Sequence, residues 1–136
     1  MNYLLDTNVL SELVRKDPSP KVVQQMGRAD RSRLYTSSVC FMELRRGCAR
    51  HPEGKRIWHG LTEIVLSWIQ VLPFGREEAL HAGEVMAELE QKGTVIGLAD
   101  AMIGAVASIN RCALITRNIR EFQRFPKLSV ENWFES

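Results

Sequence analysis

The sequence lacks the features that mark a membrane protein, a secreted protein or a zinc protein. It has no run of about 18 apolar residues, the length that a membrane-spanning helix needs. No basic region followed by an apolar stretch opens the chain, so we expect no signal peptide. Cys40, Cys48 and Cys112 are an odd number without paired spacing, which fits neither a zinc site nor a disulfide framework. We therefore expect a cytoplasmic protein with no membrane contact, whose thiols are reduced and mostly buried.

Other absences narrow the range of activities. No glycine-rich stretch has the spacing of a nucleotide-binding loop, and the three histidines are scattered without a base–nucleophile arrangement. The chain also shows no internal repeat, low-complexity segment or linker. Its 136 residues are 45% hydrophobic, enough for a full core. These features predict a single domain over residues 1–136.

Positive charge is slight overall but unevenly distributed. The net charge is +2, yet ten basic residues fall into two groups. The groups are Arg45, Arg46, Arg50, His51, Lys55 and Arg56, and then Arg111, Arg117, Arg120 and Arg124. Such clusters can follow a phosphate backbone. They are also typical of solvated helix faces, and charge alone favours that simpler interpretation.

Short apolar segments alternate with helical patterns along the chain. Strands are predicted at 2–5, 33–38, 69–74 and 112–116, with a weaker fifth at 128–133. Helices are predicted at 9–16, 19–29, 37–50, 54–69, 76–93, 97–111 and 119–125. This alternation predicts an α/β fold around a mainly parallel sheet of four to five strands.

Three acidic residues occupy positions where a charge is costly to bury. Asp6 follows the first strand directly, in "YLLDTNVL". Glu43 lies in the most apolar part of its helix, and Asp100 is the only charged residue in the range 94–109. In parallel α/β sheets, ligands bind at the carboxyl ends of the strands. The three acids would converge there if the two helices pack beside the first strand.

Each acid also has a purely structural explanation. Asp6 could form a turn with Asn8. Glu43 could pair with Arg46 on the helix surface, and Asp100 could cap its helix. Taken together, the acids favour a cation site, because clustered carboxylates raise one another's pKa and a hard divalent cation relieves the repulsion. Mg²⁺ or Mn²⁺ suits oxygen ligands and can polarise a phosphate and activate a water.

Four windows carry a family resemblance. They are "LLDTNVL", "SSVCFMELRRG", "GLADAMIGAVA" and "LITRNIREF", followed by the tail "FPKLSVENW". Their order, spacing and apolar surroundings resemble the PIN-domain nucleases, and more narrowly the VapC-type toxins of prokaryotic toxin–antitoxin pairs. The resemblance implies a three-layer α/β/α sandwich. It also implies an Mg²⁺- or Mn²⁺-dependent endoribonuclease that hydrolyses RNA to leave a 5′-phosphate and a 3′-hydroxyl.

The resemblance also assigns roles, residue by residue. Asp6 and Asp100 would be direct metal ligands. Glu43 would bind the metal through water, or would orient or deprotonate the attacking water. Asn118 takes a fourth position that is Asp in some members and Asn or Ser in others, so it would position water or metal without adding charge. Whether the site holds one metal or two therefore stays open, and Glu121 could substitute if its helix turns inward.

Less specific expectations concern the substrate. Arg45, Arg46 and Arg117 are candidates for binding RNA phosphate, although they could equally be surface charges or contacts for an antitoxin. Thr7 and Asn8 could support the site through hydrogen bonds, or could only shape the turn after the first strand.

The resemblance finally implies partners. Such toxins form homodimers, and a small VapB-type antitoxin wraps the active-site groove and carries any operator-DNA contact. The residues taken by themselves leave two other functions open. One is a catalytically silent module that binds RNA or an antitoxin. The other is a phosphatase with Asp6 as nucleophile, which needs a lysine and a later acid pair that the sequence does not show.

Overall fold

A five-stranded sheet forms the centre of the molecule, for which a computed structural model describes residues 1–135. The strands are β1 (Asn2–Leu5), β2 (Leu34–Ser37), β3 (Gln70–Leu72), β4 (Cys112–Ile115) and β5 (Val130–Glu131). Their order is β3-β2-β1-β4-β5, and every neighbouring pair is parallel. All five predicted strands are therefore present, and β1 is central.

Helices connect the strands and cover both faces of the sheet. They are α1 (Thr7–Glu12), α2 (Pro20–Arg28), α3 (Ser38–Arg50), α4 (Gly54–Gly60), α5 (Arg76–Gln91), α6 (Leu98–Ile109) and α7 (Ile119–Phe122). A short 3₁₀ turn at Arg31–Arg33 precedes β2. Within the described part of the chain, no helix has the length and apolarity needed to cross a bilayer.

Three helix predictions were wrong by more than two residues at one end, and one of these, the helix expected over 119–125, ends at Phe122. The helix expected over 54–69 ends at Gly60 and continues as a π-helical turn, Leu61–Val65, closed by the Leu66 N–H donating to the Leu61 carbonyl. The apolar pattern continues through this change because a π turn still presents Leu61 and Val65 to the core. The helix expected over 9–16 is the shorter α1, which begins directly after Asp6 because that side chain caps it.

The alternation of side chains along each strand divides the core between the two faces. Leu5 and Ile115 pack with α1, α2 and the π-helical turn, whereas Leu4 and Leu114 pack with α3, α6 and α7. A third apolar cluster lies between α5 and α6. The architecture confirms the predicted α/β sandwich, and all three cysteines are buried and unpaired as expected.

Candidate active site

Asp6 lies at the carboxyl end of the central strand, where strand order reverses between β1 and β4. Only 4% of its surface is exposed. Its Oδ1 accepts the Thr7 N–H at 2.8 Å, and its Oδ2 accepts the Thr116 hydroxyl at 2.7 Å and the Asn8 amide at 3.3 Å. These donors compensate for the water that the carboxylate loses on burial.

Glu43 joins this carboxylate from the neighbouring helix α3. The Thr7 hydroxyl donates to Glu43 Oε1 at 2.8 Å, which ties the first turn of α1 to α3. One ligand atom from each of Asp6, Cys40 and Glu43 lies within 4.8 Å of the others. Glu43 therefore contacts Thr7 at the sheet edge, and its alternative partner Arg46 makes no ion pair within residues 1–135.

Cys40 was not predicted as part of the site, yet its thiol donates to Asp6 Oδ1 at 3.6 Å. Burial, and then the charge of Asp6, raises the pKa of the Cys40 thiol to about 12. The sulfur stays protonated at neutral pH, so it supports Asp6 as a hydrogen-bond donor and does not compete as a thiolate ligand. Its position three residues before Glu43 on the same helix face was the only signal in the sequence.

Asp100 approaches the same region from the first turn of α6. Burial, followed in order of effect by the charges of Asp6, Glu121 and Glu43, raises the pKa of Asp100 from 3.8 to about 6. The negative charges of Asp6, Glu121 and Glu43 thus act on the Asp100 carboxyl. No other described side chain donates a hydrogen bond to Asp100. We call Asp6, Glu43 and Asp100 the acidic cluster.

Thr116 is the supporting residue whose contacts sequence reasoning missed. It is fully buried, donates to Asp6 Oδ2, and accepts the Asn118 N–H at 3.0 Å. Leu5 and Ile115, the last residues of β1 and β4, are paired in the sheet. The residues that follow them, Asp6 and Thr116, therefore lie side by side. Only knowledge of the strand order could have revealed this contact.

Asn118 and Asn8 lie around this pair. Asn118 is exposed at the start of α7, and its side-chain amide makes no hydrogen bond within the described residues. Asn8 donates to Asp6 and accepts the Arg117 N–H at 3.1 Å, so it connects α1 to the loop after β4. Thr7 and Asn8 therefore both bond to groups of the site in addition to shaping the turn.

The three candidate arginines differ in how they are held. Arg45 and Arg46 are exposed on α3, and the Arg45 guanidinium lies 4.9 Å from the centre of the Trp58 ring. The Arg117 guanidinium is held more closely, 3.8 Å from the centre of the Phe134 ring and 3.9 Å from Glu12 Oε1.

A cleft of about 630 Å³ opens beside Thr7 and Glu43. It runs between α1, α3 and α4, with an apolar floor that includes Leu44, Ile57 and Leu61. Charged side chains of both signs, among them Arg15 and Glu53, line its rim. A groove with an apolar floor and mixed charges at its rim is typical of a site that binds an amphipathic segment of a partner.

Comparison with known proteins supports the predicted family. The family model of the PIN domain matches residues 3–128. Ribonuclease VapC2 of Rickettsia felis is 33% identical and a tRNA(fMet)-specific endonuclease VapC of Salmonella typhimurium is 31% identical, each over 133 residues and 98% of both chains. The solved structure of VapBC2 from Rickettsia felis, bound to a DNA fragment from their promoter, aligns with a TM-score of 0.87 at 30% identity. That alignment covers 98% of this chain and 99% of the other. The chain therefore belongs to the PIN-domain family and, within it, to the VapC-type ribonucleases.

Proposed function

We propose that this protein is a metal-dependent endoribonuclease and the toxin of a type II toxin–antitoxin pair. The observation that carries the proposal is the acidic cluster at the carboxyl end of the central strand. Asp6 is buried there, and burial together with the neighbouring carboxylates opposes the ionisation of Asp100, which is unfavourable for a purely structural role. The chain also belongs to a family whose relatives include named ribonucleases. We further propose that residues 1–136 act as one nuclease domain in the cytoplasm.

The donor set fits Mg²⁺ or Mn²⁺. Carboxylate oxygens suit these hard cations, and the protonated Cys40 thiol offers them nothing. Asp6 and Asp100 would hold the ion directly, and Glu43 would hold it through water. When bound, the ion supplies charge stabilisation to the phosphate and lowers the pKa of a water.

The remaining residues act around this centre. Thr7 occupies Oε1 of Glu43, which leaves Oε2 to orient the attacking water or take its proton. Thr116, Asn8 and Cys40 fix the Asp6 carboxylate through hydrogen bonds, so the ligand is already in place before an ion binds. Asn118, exposed at the rim, would position water without adding charge.

A phosphatase with Asp6 as nucleophile is disfavoured because that chemistry needs a lysine and a later acid pair, which the sequence does not show. The cleavage experiment below also tests the catalytically silent module: RNA cleavage that requires the metal would exclude it, and RNA left intact would support it.

The proposed partners follow from the family and the cleft. Solved structures of similar proteins are toxin–antitoxin complexes, among them VapBC from Salmonella typhimurium bound to DNA. We expect a VapB-type antitoxin to place a segment in the cleft beside Glu43 and to carry any contact with operator DNA. We also expect the toxin to form a homodimer.

The decisive experiment measures cleavage of a short RNA by the purified protein with Mg²⁺ or Mn²⁺, and then with EDTA. Asp6→Asn and Asp100→Asn should each lower the cleavage rate at least about a thousandfold. Glu88→Gln, which removes an exposed carboxylate paired with Lys92 on α5, is the matched control and should cleave normally. Cleavage that persists in EDTA, or in both Asp variants, would overturn the metal-site proposal.

A further inference from the structure

Glu12, the last residue of α1, carries a buried carboxylate outside the acidic cluster. Only 5% of its side chain is exposed. Its Oε2 accepts the Ser19 N–H at 2.7 Å, and its Oε1 accepts from Arg15 Nη1 at 3.1 Å. These two donors fix the position of the carboxylate, so any further group that approaches it meets an acceptor that cannot move away.

That further group is Arg117, from the loop after β4. Its Nη2 lies 3.9 Å from Glu12 Oε1, and its guanidinium carbon lies 3.8 Å from the centre of the Phe134 ring. The guanidinium is thus held at one edge by a carboxylate and on one face by an aromatic ring. Because 54% of the Arg117 side chain remains exposed, donors on its other edge are available to a ligand.

The backbone of Arg117 is fixed to the acidic cluster. Its N–H donates to Asn8 Oδ1 at 3.1 Å, and the preceding Thr116 donates to Asp6 Oδ2 at 2.7 Å. The exposed guanidinium therefore belongs to the same loop that supports Asp6. A planar guanidinium with one free edge presents paired N–H donors of the kind that bind a phosphate.

We propose that Glu12 is a positioning residue that, with Phe134, holds the Arg117 guanidinium ready to bind a backbone phosphate of the RNA, an inference that rests on the proposed nuclease function. Arginine has many rotamers, so holding it in place beforehand removes part of the entropy cost of ordering it when RNA binds. Glu12 itself does not contact the RNA.

The sign of the effect separates this role from simpler ones. Removing a negative charge near an RNA site should tighten RNA binding through electrostatics alone. A residue that only anchors the Ser19 loop should change stability and leave RNA affinity unaltered. A positioning role predicts the opposite of the electrostatic effect, namely weaker binding when Glu12 becomes neutral.

The test measures the affinity of a short fluorescent single-stranded RNA by anisotropy in EDTA, where no cleavage interferes. Arg117→Ala should weaken binding about tenfold and lower the slope of log affinity against log salt by about 0.7, the value for one phosphate contact on a single strand. Glu12→Gln should weaken binding about threefold to fivefold. In the double variant, binding should be no weaker than in Arg117→Ala alone, because Glu12 acts through Arg117. Glu88→Gln is the matched control for loss of a carboxylate.

Several results would overturn the inference: wild-type or tighter RNA binding by Glu12→Gln, an unchanged salt slope in Arg117→Ala, or multiplying losses in the double variant. If Glu12→Gln does not fold, Phe134→Leu releases the other side of the guanidinium and should weaken binding in the same direction. Unchanged affinity in that variant would then decide against the proposal. Failure of the nuclease function itself shows separately, as RNA left intact by the wild type with Mg²⁺.

Discussion

Replacing Asp100 with Asn should stabilise the metal-free protein even though it removes a proposed metal ligand. Asp100 is about half-buried, and the charges of Asp6, Glu121 and Glu43 oppose its ionisation. Asn preserves the shape of the side chain and removes its charge. No hydrogen bond is lost, because none to the Asp100 side chain is present within residues 1–135.

The magnitude follows from the pKa of Asp100. Its rise from 3.8 to about 6 corresponds to about 3 kcal/mol, which solvent screening of a half-buried group reduces to about 1–2 kcal/mol. The dipole of α6 favours an anion in its first turn by about 0.3–1 kcal/mol, and Asn forgoes this gain. We therefore expect the free energy of unfolding to rise by about 1 kcal/mol near pH 7.5, or about 3–5 °C in Tm.

The effect should depend on pH with a definite sign. The pKa of Asp100 is higher in the folded state than in the unfolded state, so its charge destabilises the fold above about pH 6. As pH falls from about 6 towards 3.8, the folded protein takes up the proton first and the penalty shrinks. At pH 4.5 about a third of the difference between Asp100→Asn and wild type should remain.

Thermal and urea denaturation in EDTA at the two pH values measure this difference. Adding Mg²⁺ should raise the Tm of the wild type and leave that of Asp100→Asn unchanged, because a ligand stabilises only the state that binds it. Glu88→Gln should match the wild type in EDTA at both pH values and should gain Tm with Mg²⁺ as the wild type does. A variant that is less stable than wild type in EDTA near pH 7.5, or a gain that does not change with pH, would refute the reasoning.

Two further substitutions address the support of Asp6 and the cleft. Thr116→Val removes the hydroxyl that donates to Asp6 Oδ2 and accepts the Asn118 N–H. The free energy of unfolding, measured by urea denaturation, should fall by about 2 kcal/mol, and Mg²⁺ should bind more weakly. An unchanged denaturation midpoint would contradict this prediction. Gly47 lines the cleft, and a Cβ atom added there would meet nothing within 4 Å. Gly47→Leu should therefore raise the denaturation midpoint through helix propensity and weaken antitoxin binding at least about tenfold, measured by calorimetry. Gly83 lies on α5 and is equally open, so Gly83→Leu should raise the denaturation midpoint without weakening antitoxin binding. If the two glycine variants bind the antitoxin with equal affinity, the cleft is not part of the antitoxin interface.

Much of the fold could be predicted from the sequence because the spacing of apolar residues indicates which side chains are buried. The strands β1 and β4 are nearly continuous apolar runs, as expected for strands covered on both faces, and they were predicted within one residue of their observed ends. The break between α4 and the π-helical turn was not predicted, because apolar spacing does not distinguish the two hydrogen-bond patterns. The order of the strands could not be predicted from the apolar pattern either, because β1 pairs with β4, which is far away in the sequence.

The order and spacing of the four motif windows indicate the family, and Asp6, Glu43 and Asp100 stand out because an acid in an apolar segment is costly to bury. The groups that support these acids become visible only in the folded chain. The hydrogen bond from Thr116 to Asp6 joins residues 110 positions apart, and the contact between Glu12 and Arg117 depends on the same strand pairing. The physical reason is that local pattern encodes which residues are buried. Which buried polar groups meet depends on how distant strands and helices pack, and that geometry exists only in the folded chain.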